Sequence, residues 1–264
     1  MSLFGPILLD AIPEPERIVC NQHYYADALF SKIERNNVEL TDEEEDRLKK
    51  FYDVAFSGEG LFHLIHLLSS RDGVTVSLSD KEEVINLESI DAPINPYKKK
   101  NGQVVVLGKY IKEEDQIILF VNNIRSVAEE FKYECTYYVP NGPNVTETYR
   151  LKSCVILAYV LAHELYHAYF YKERYIMRYE EPLAEFGALL YMNNYCHQWY
   201  NDKVKEIVIG LRSLVAEKKQ SGLECYSRGA SLFNKDEKDL IDKYKNCDLS
   251  KQQTLDEFET LIYG

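Results

Sequence analysis

The segment LAHELYH, Leu161 to His167, constrains this chain more than any other. It lies in a run from Cys154 to Tyr171 that contains no glycine or proline, and whose only charged or imidazole side chains are His163, Glu164 and His167. A run with no polar stripe predicts a helix buried on every side. An ionised glutamate in such a helix costs on the order of several kcal/mol unless something compensates its charge. The three polar side chains therefore need a common partner.

Their spacing suggests one. Side chains four apart leave a helix on the same face, so His163 and His167 can aim imidazole nitrogens at one point, which makes a zinc half-site. Glu164 is rotated from His163 by about 100°, which suits a carboxylate that acts on a water rather than on the metal. A catalytic zinc usually takes three protein ligands. The segment YEEPLAEFGALL, residues 179–190, offers Glu180, Glu181 and Glu185 for the third. Pro182 fits a first helical turn, which puts Glu181 at the helix entrance as the expected ligand. Glu185 shares its face and is placed to accept an N–H from a ligating histidine, while Glu180 points elsewhere. The plainer alternative is a pair of hydrogen-bonded core histidines, with acidic residues gathered at a helix start for dipole reasons alone.

Local patterns around this segment predict the other elements. Thr41 with Glu44 reads as a capping box opening a helix to about Ala55; Tyr24 to Arg35, Gly60 to Leu68, Asp202 to Lys219, Asn234 to Asn246 and Thr254 to Ile262 also read as helical. Val74 to Leu78, Gln103 to Leu107 and Gln116 to Val121 read as strands, the last two joined in a hairpin through the polar Lys112 to Asp115. Residues 88–102, with two prolines and three lysines, read as loop, and Arg125 to Arg150 as a short helix followed by a tyrosine-rich excursion. The expected fold class is α+β: a small, mostly antiparallel sheet on the motif helix, forming a core over 73–200 between helical parts at 1–72 and 201–264 of one elaborated domain.

Composition limits the partners. A net charge of −12 repels phosphate backbones and anionic headgroups, so neither nucleic acid nor membrane is an expected partner. The amino terminus has no signal-like pattern, and the expected compartment is the cytoplasm. The six cysteines form no C-x-x-C pair and are expected as free thiols, so the Asn144-Val145-Thr146 sequon has no secretory context. Cys196 and His197, adjacent on a helix, diverge too far to act as a nucleophile pair. His63 and His66 read as packed residues, and His23 as surface.

His163-Glu164-Leu165-Tyr166-His167 followed by Glu181-Pro182-Leu183-Ala184-Glu185 resembles the H-E-x-x-H plus E-x-x-A-[DEN] arrangement of the gluzincins, zinc metallopeptidases with a glutamate ligand. The order DQIILFVNN, LAYVLAHELYHAYF, EEPLAEFGALLYM is similar to their ImmA/IrrE-like branch. The likeness spans residues 103–195, with Glu185 in place of the branch's usual Asn or Asp and a longer insertion at 125–150. It implies a zincin-like core, Zn2+ held by His163, His167 and Glu181, Glu164 as general base, and a peptide or protein substrate. It also implies that Ile117 to Val121 is the active-site strand, to which the peptide adds as an antiparallel neighbour. An oxyanion donor is sought among Tyr166, Tyr191, Tyr195 and Tyr226 with Arg228, each of which has an ordinary packing role as its alternative. The competing functional reading is a regulatory or binding protein that keeps this fold with weak, highly specific or absent proteolysis.

Overall fold

The capping box forms as its residues suggest: Glu44 N–H donates to Thr41 Oγ1 at 3.2 Å and Thr41 N–H to a Glu44 carboxylate oxygen at 3.0 Å. It opens helix α1 (Asp42–Ser57) in a computed structural model that describes residues 27–57, 73–86, 94–100, 103–172, 180–199, 203–220 and residue 260. Strands β1 (Thr75–Ser79), β2 (Val84–Asn86), β3 (Ile94–Lys100), β4 (Gln103–Ile111) and β5 (Gln116–Phe120) follow, then helix α2 (Val121–Glu130), strands β6 (Tyr133–Tyr137) and β7 (Val145–Tyr149), and helices α3 (Ser153–Lys172), α4 (Glu180–Trp199) and α5 (Val204–Gln220). The fold is mixed α+β.

Five strands make one sheet in which β1 and β5 are parallel and every other pairing is antiparallel. β4 and β5 form the expected hairpin, with Gly108 opposite Leu119 and Ile111 opposite Gln116. β4 is flanked along its length: Val104 pairs with Ile85 of β2 on one side and Lys99 of β3 on the other, and Gly108 with Leu119 and Asn95 in the same way.

Three expectations change. Residues 94–100, within the segment read as loop, are a strand. The exposed N–H and C=O groups of β4's outer edge recruit that segment despite Pro96, which an edge strand tolerates. Val121 opens α2 rather than closing a strand. Of the described residues within Tyr24 to Arg35, 27–30 are helical, and Glu34 lies beyond the helix to bridge Ser77 of β1. The excursion after α2 is the β6–β7 hairpin, which packs on α5 and is tied to it by the Tyr137 hydroxyl donating to Glu206 at 2.9 Å.

α3 is the centre of the molecule. Every residue from Cys154 to Ala168 is buried, between the sheet on one side and α1, α2 and α4 on others. α4 is nearly as enclosed, with Leu183 to Met192 buried throughout, and two of its tyrosines fasten it to α1. Tyr191 donates to the Phe51 carbonyl and Tyr195 to the Arg47 carbonyl at 3.1 Å. The apolar patterns thus bring two long helices together in a dry core, and both carry carboxylates. No helix among the described residues is long and apolar enough to cross a membrane.

Candidate metal centre

The first turn of α4 meets the middle of α3 at three donor atoms. His163 Nε2 and His167 Nε2 are 2.8 Å apart, and Glu181 Oε2 lies 3.5 Å from the first and 3.3 Å from the second. Two ligands on a tetrahedral zinc, each about 2.1 Å from it, stand about 3.4 Å from one another. The two histidine–glutamate distances match that spacing; the histidine pair is closer, at hydrogen-bonding distance. The donor set therefore fits a metal ion, and His163, His167 and Glu181 could hold one. Glu181 Oε2 is buried, and the partners it faces among the described residues are the two imidazoles.

The electrostatics agree with that grouping. Burial raises the Glu181 carboxyl, but the charge of His167 and the imidazole N–H groups facing it prevail and hold it at about 2. Burial disfavours the charged His163 ring, yet the Glu185 and Glu181 carboxylates outweigh burial and the neighbouring His167, so its pKa is raised.

Behind His163 stands another carboxylate. His163 Nδ1 faces Glu185 Oε2 at 3.6 Å, and the Tyr159 hydroxyl donates to that same oxygen. Tyr159 was not among the sequence candidates. Its signal was spacing: Tyr159, His163 and His167 are four apart on α3, as Glu181 and Glu185 are on α4, so the two faces meet in register.

Glu164 is buried and lies against the sheet. A Cβ added to Gly108 of β4 would come within 3.0 Å of Glu164 Oε1 and 2.6 Å of Val160 Cγ1. A glycine in a strand often marks such a close approach, and the lone glycine of QVVVLGKYI was legible in that way. The strand facing Glu164 is thus β4. The expectation that Ile117 to Val121 is the strand receiving a peptide is not met, because β5 is paired along both edges, with β1 and with β4. No backbone edge is left there for an added strand.

The remaining candidates separate. Tyr191 and Tyr195 spend their hydroxyls on α1 carbonyls, which is packing chemistry; Tyr166 is fully buried on α3. Cys135, Cys154 and Cys196 are free and buried, and burial pushes the Cys196 thiol up to about 12, the opposite of nucleophile activation. His23, His63, His66, Tyr226, Arg228, Cys20, Cys225, Cys247, the expected helices at 60–68 and 234–246, and that at 254–262 apart from the helical residue 260, lie outside the described residues, as do the side chains of Glu180 and His197. No protein family, curated protein or solved structure gives a match to the chain.

Proposed function

We propose that the chain is a zinc-dependent peptidase of gluzincin type, hydrolysing peptide bonds in a peptide or protein substrate. The observation that carries the reading is the convergence of His163 Nε2, His167 Nε2 and Glu181 Oε2, from two helices, one residue away from a buried glutamate. Two imidazoles and a carboxylate are a borderline-soft donor set that suits zinc better than magnesium or calcium. Zinc bound there would lower the pKa of water toward neutrality and polarise a scissile carbonyl.

The chain's own groups supply the remaining chemistry. Glu164 takes a proton from the attacking water and hands it to the departing amine. Glu185, held by Tyr159, faces the far nitrogen of His163 and orients the ring toward the other two ligands. The dry wall of α3 and β4 keeps the dielectric around Glu164 low, which strengthens each of these interactions.

A second reading has its own support. His163, Glu164 and His167 have no exposed surface, and Glu181 keeps only 19% of its side-chain surface. A site this closed favours a protein that cleaves a single specific target, or that binds partners without cleaving them. Metal analysis of the purified protein with a casein cleavage assay, on wild type and Glu164→Gln, separates the cases. Stoichiometric zinc with cleavage lost in the variant supports the peptidase; zinc with no cleavage by either form favours the second reading; no zinc removes both.

A further inference from the structure

Taking the peptidase reading as given, we infer that the outer edge of β4 is the peptide-binding strand, and that β3 occupies it as a self-supplied inhibitor which leaves when substrate enters.

Gly108 identifies the edge. It is the β4 residue whose missing side chain makes room for Glu164, so a peptide pairing alongside Gly108 passes within reach of that carboxylate. β4 has two neighbours at this position, Leu119 of β5 and Asn95 of β3. β5 is bonded to strands on both sides and could not leave without dismantling the sheet. Among the described residues β3 pairs with β4 alone.

That pairing is irregular. The register shifts between Asn95 and Pro96 and again between Pro96 and Lys99, and Pro96 has no N–H to give the ladder. It is antiparallel, the orientation in which an extended peptide adds to a sheet edge in strand-addition recognition. Continuous sheet pairing combined with complete burial of His163, Glu164 and His167 means that some element must move before substrate arrives. Of the two strands that flank Gly108, β3 is the one paired to β4 alone, and its departure exposes an edge of the right polarity.

A buried side chain pins it. Tyr97 is 4% exposed, donates its hydroxyl to Glu217 of α5 at 2.8 Å and meets the Phe131 ring edge-on at 6.1 Å. The strand is therefore held by a tyrosine latch on α5 as well as by its ladder. Loosening the latch should favour the open state without touching the metal ligands.

The test uses two probes on zinc-loaded protein. Acetohydroxamate reports the metal alone; a four-residue peptide hydroxamate needs the metal and the β4 edge. Tyr97→Phe, and independently Glu217→Gln, should bind the peptide hydroxamate about tenfold more tightly than wild type and acetohydroxamate equally. With the peptide hydroxamate saturating, amides of residues 94–100 should exchange with deuterium at least tenfold faster while those of 103–111 stay protected. If β3 keeps its protection with the peptide probe bound, or if that probe binds no tighter than acetohydroxamate in wild type and both variants, the inhibitor-strand idea is overturned and the peptidase reading survives. Failure of zinc or acetohydroxamate to bind overturns the peptidase reading itself.

Discussion

Glu44 and Glu181 are both acidic residues in the first turn of a helix, both with carboxyls held down at about 2, yet they are finished in different ways. At Glu44 burial raises the carboxyl, and a full set of donors more than reverses it: Arg125 at 2.6 and 3.1 Å, the Thr41 N–H at 3.0 Å and the Ser153 hydroxyl at 2.7 Å. At Glu181 the partners are two imidazoles 3.3 and 3.5 Å away that also crowd each other at 2.8 Å. The first carboxylate is satisfied by the protein and ties α1 to α2 and to the start of α3. The second belongs to a group of three donor atoms that face one another and could hold a metal ion. A similarly lowered carboxyl thus accompanies a structural clamp in one place and a candidate metal centre in the other.

The largest expected effect lies beside the second carboxylate. Glu164→Gln keeps the shape of the side chain and removes its basicity, so casein turnover should fall by about a thousandfold, while zinc content measured by atomic absorption stays at the wild-type level. Loss of zinc in this variant would mean that Glu164 is itself a ligand and that the division of roles on α3 is wrong.

Exchanging the two compared residues tests the contrast itself. Glu181→Gln should weaken zinc at least about a hundredfold in chelator competition, since it removes a charged ligand, and should lower the metal-free protein's denaturant midpoint less than Glu44→Gln does. Glu44→Gln should do the reverse. Breaking a buried carboxylate–guanidinium pair costs roughly 3 to 5 kcal/mol, and the partial exposure of Arg125 puts this pair at or below the lower end. Zinc affinity should be unchanged in refolded Glu44→Gln. Similar losses of stability in both variants would erase the distinction.

How legible each site was in the sequence follows from the range of the interactions that build it. The capping box of Thr41 and Glu44, the buried run of α3 and the turn at Lys112 to Asp115 are written within a few residues, and they form as read. The convergence of α3 and α4 was legible because each presents its polar groups at helical spacing. β3 was not. Its sequence of a proline and three lysines describes a loop, and only the unfilled edge of β4, a partner found by folding, makes it a strand. The expectation that Ile117 to Val121 receives a peptide failed for a similar reason: its apolar pattern does not show that both its edges are filled by β1 and β4, whereas the strand that lies against Glu164 is marked by the absence of a side chain at Gly108. Arg125 was likewise invisible as Glu44's partner, 81 residues away in sequence.

Acid should separate the two carboxylates in order. The raised pKa of His163 means that its proton must be released before the metal binds, so zinc affinity should fall first as pH drops from neutral, with proton uptake detectable by calorimetry in buffers of different ionisation enthalpy. Glu44 follows a different course. Its folded-state pKa lies below its ordinary value of 4.5, so its contribution is fully present above that value and is lost as pH falls from 4.5 toward about 2. Zinc should therefore leave a folded protein, and unfolding should come at lower pH. A single transition in which zinc and near-ultraviolet ellipticity are lost together would show that the metal centre and the clamp are one cooperative unit.

The smallest effect is expected one step behind the ligands, at Tyr159. Its hydroxyl donates to Glu185, whose carboxylate faces His163 Nδ1, so Tyr159→Phe leaves every ligand in place and frees Glu185 to turn. Removing a partner that orients a ligating histidine typically costs about ten- to a hundredfold in metal affinity, and Tyr159, acting through Glu185, should fall at the lower end. The change should appear as faster zinc dissociation into a chelator, with the metal-free protein destabilised by about 1.5 to 3 kcal/mol for one lost hydrogen bond to a buried carboxylate. Glu185→Gln should lose more affinity than Tyr159→Phe, and the double variant no more than Glu185→Gln alone, because the tyrosine works only through the carboxylate. Additive losses would show that Tyr159 reaches the centre by a route other than Glu185. In that case the two faces of α3 and α4 meet as packing surfaces, and the register that joins Tyr159 to His163 has no part in holding the ion.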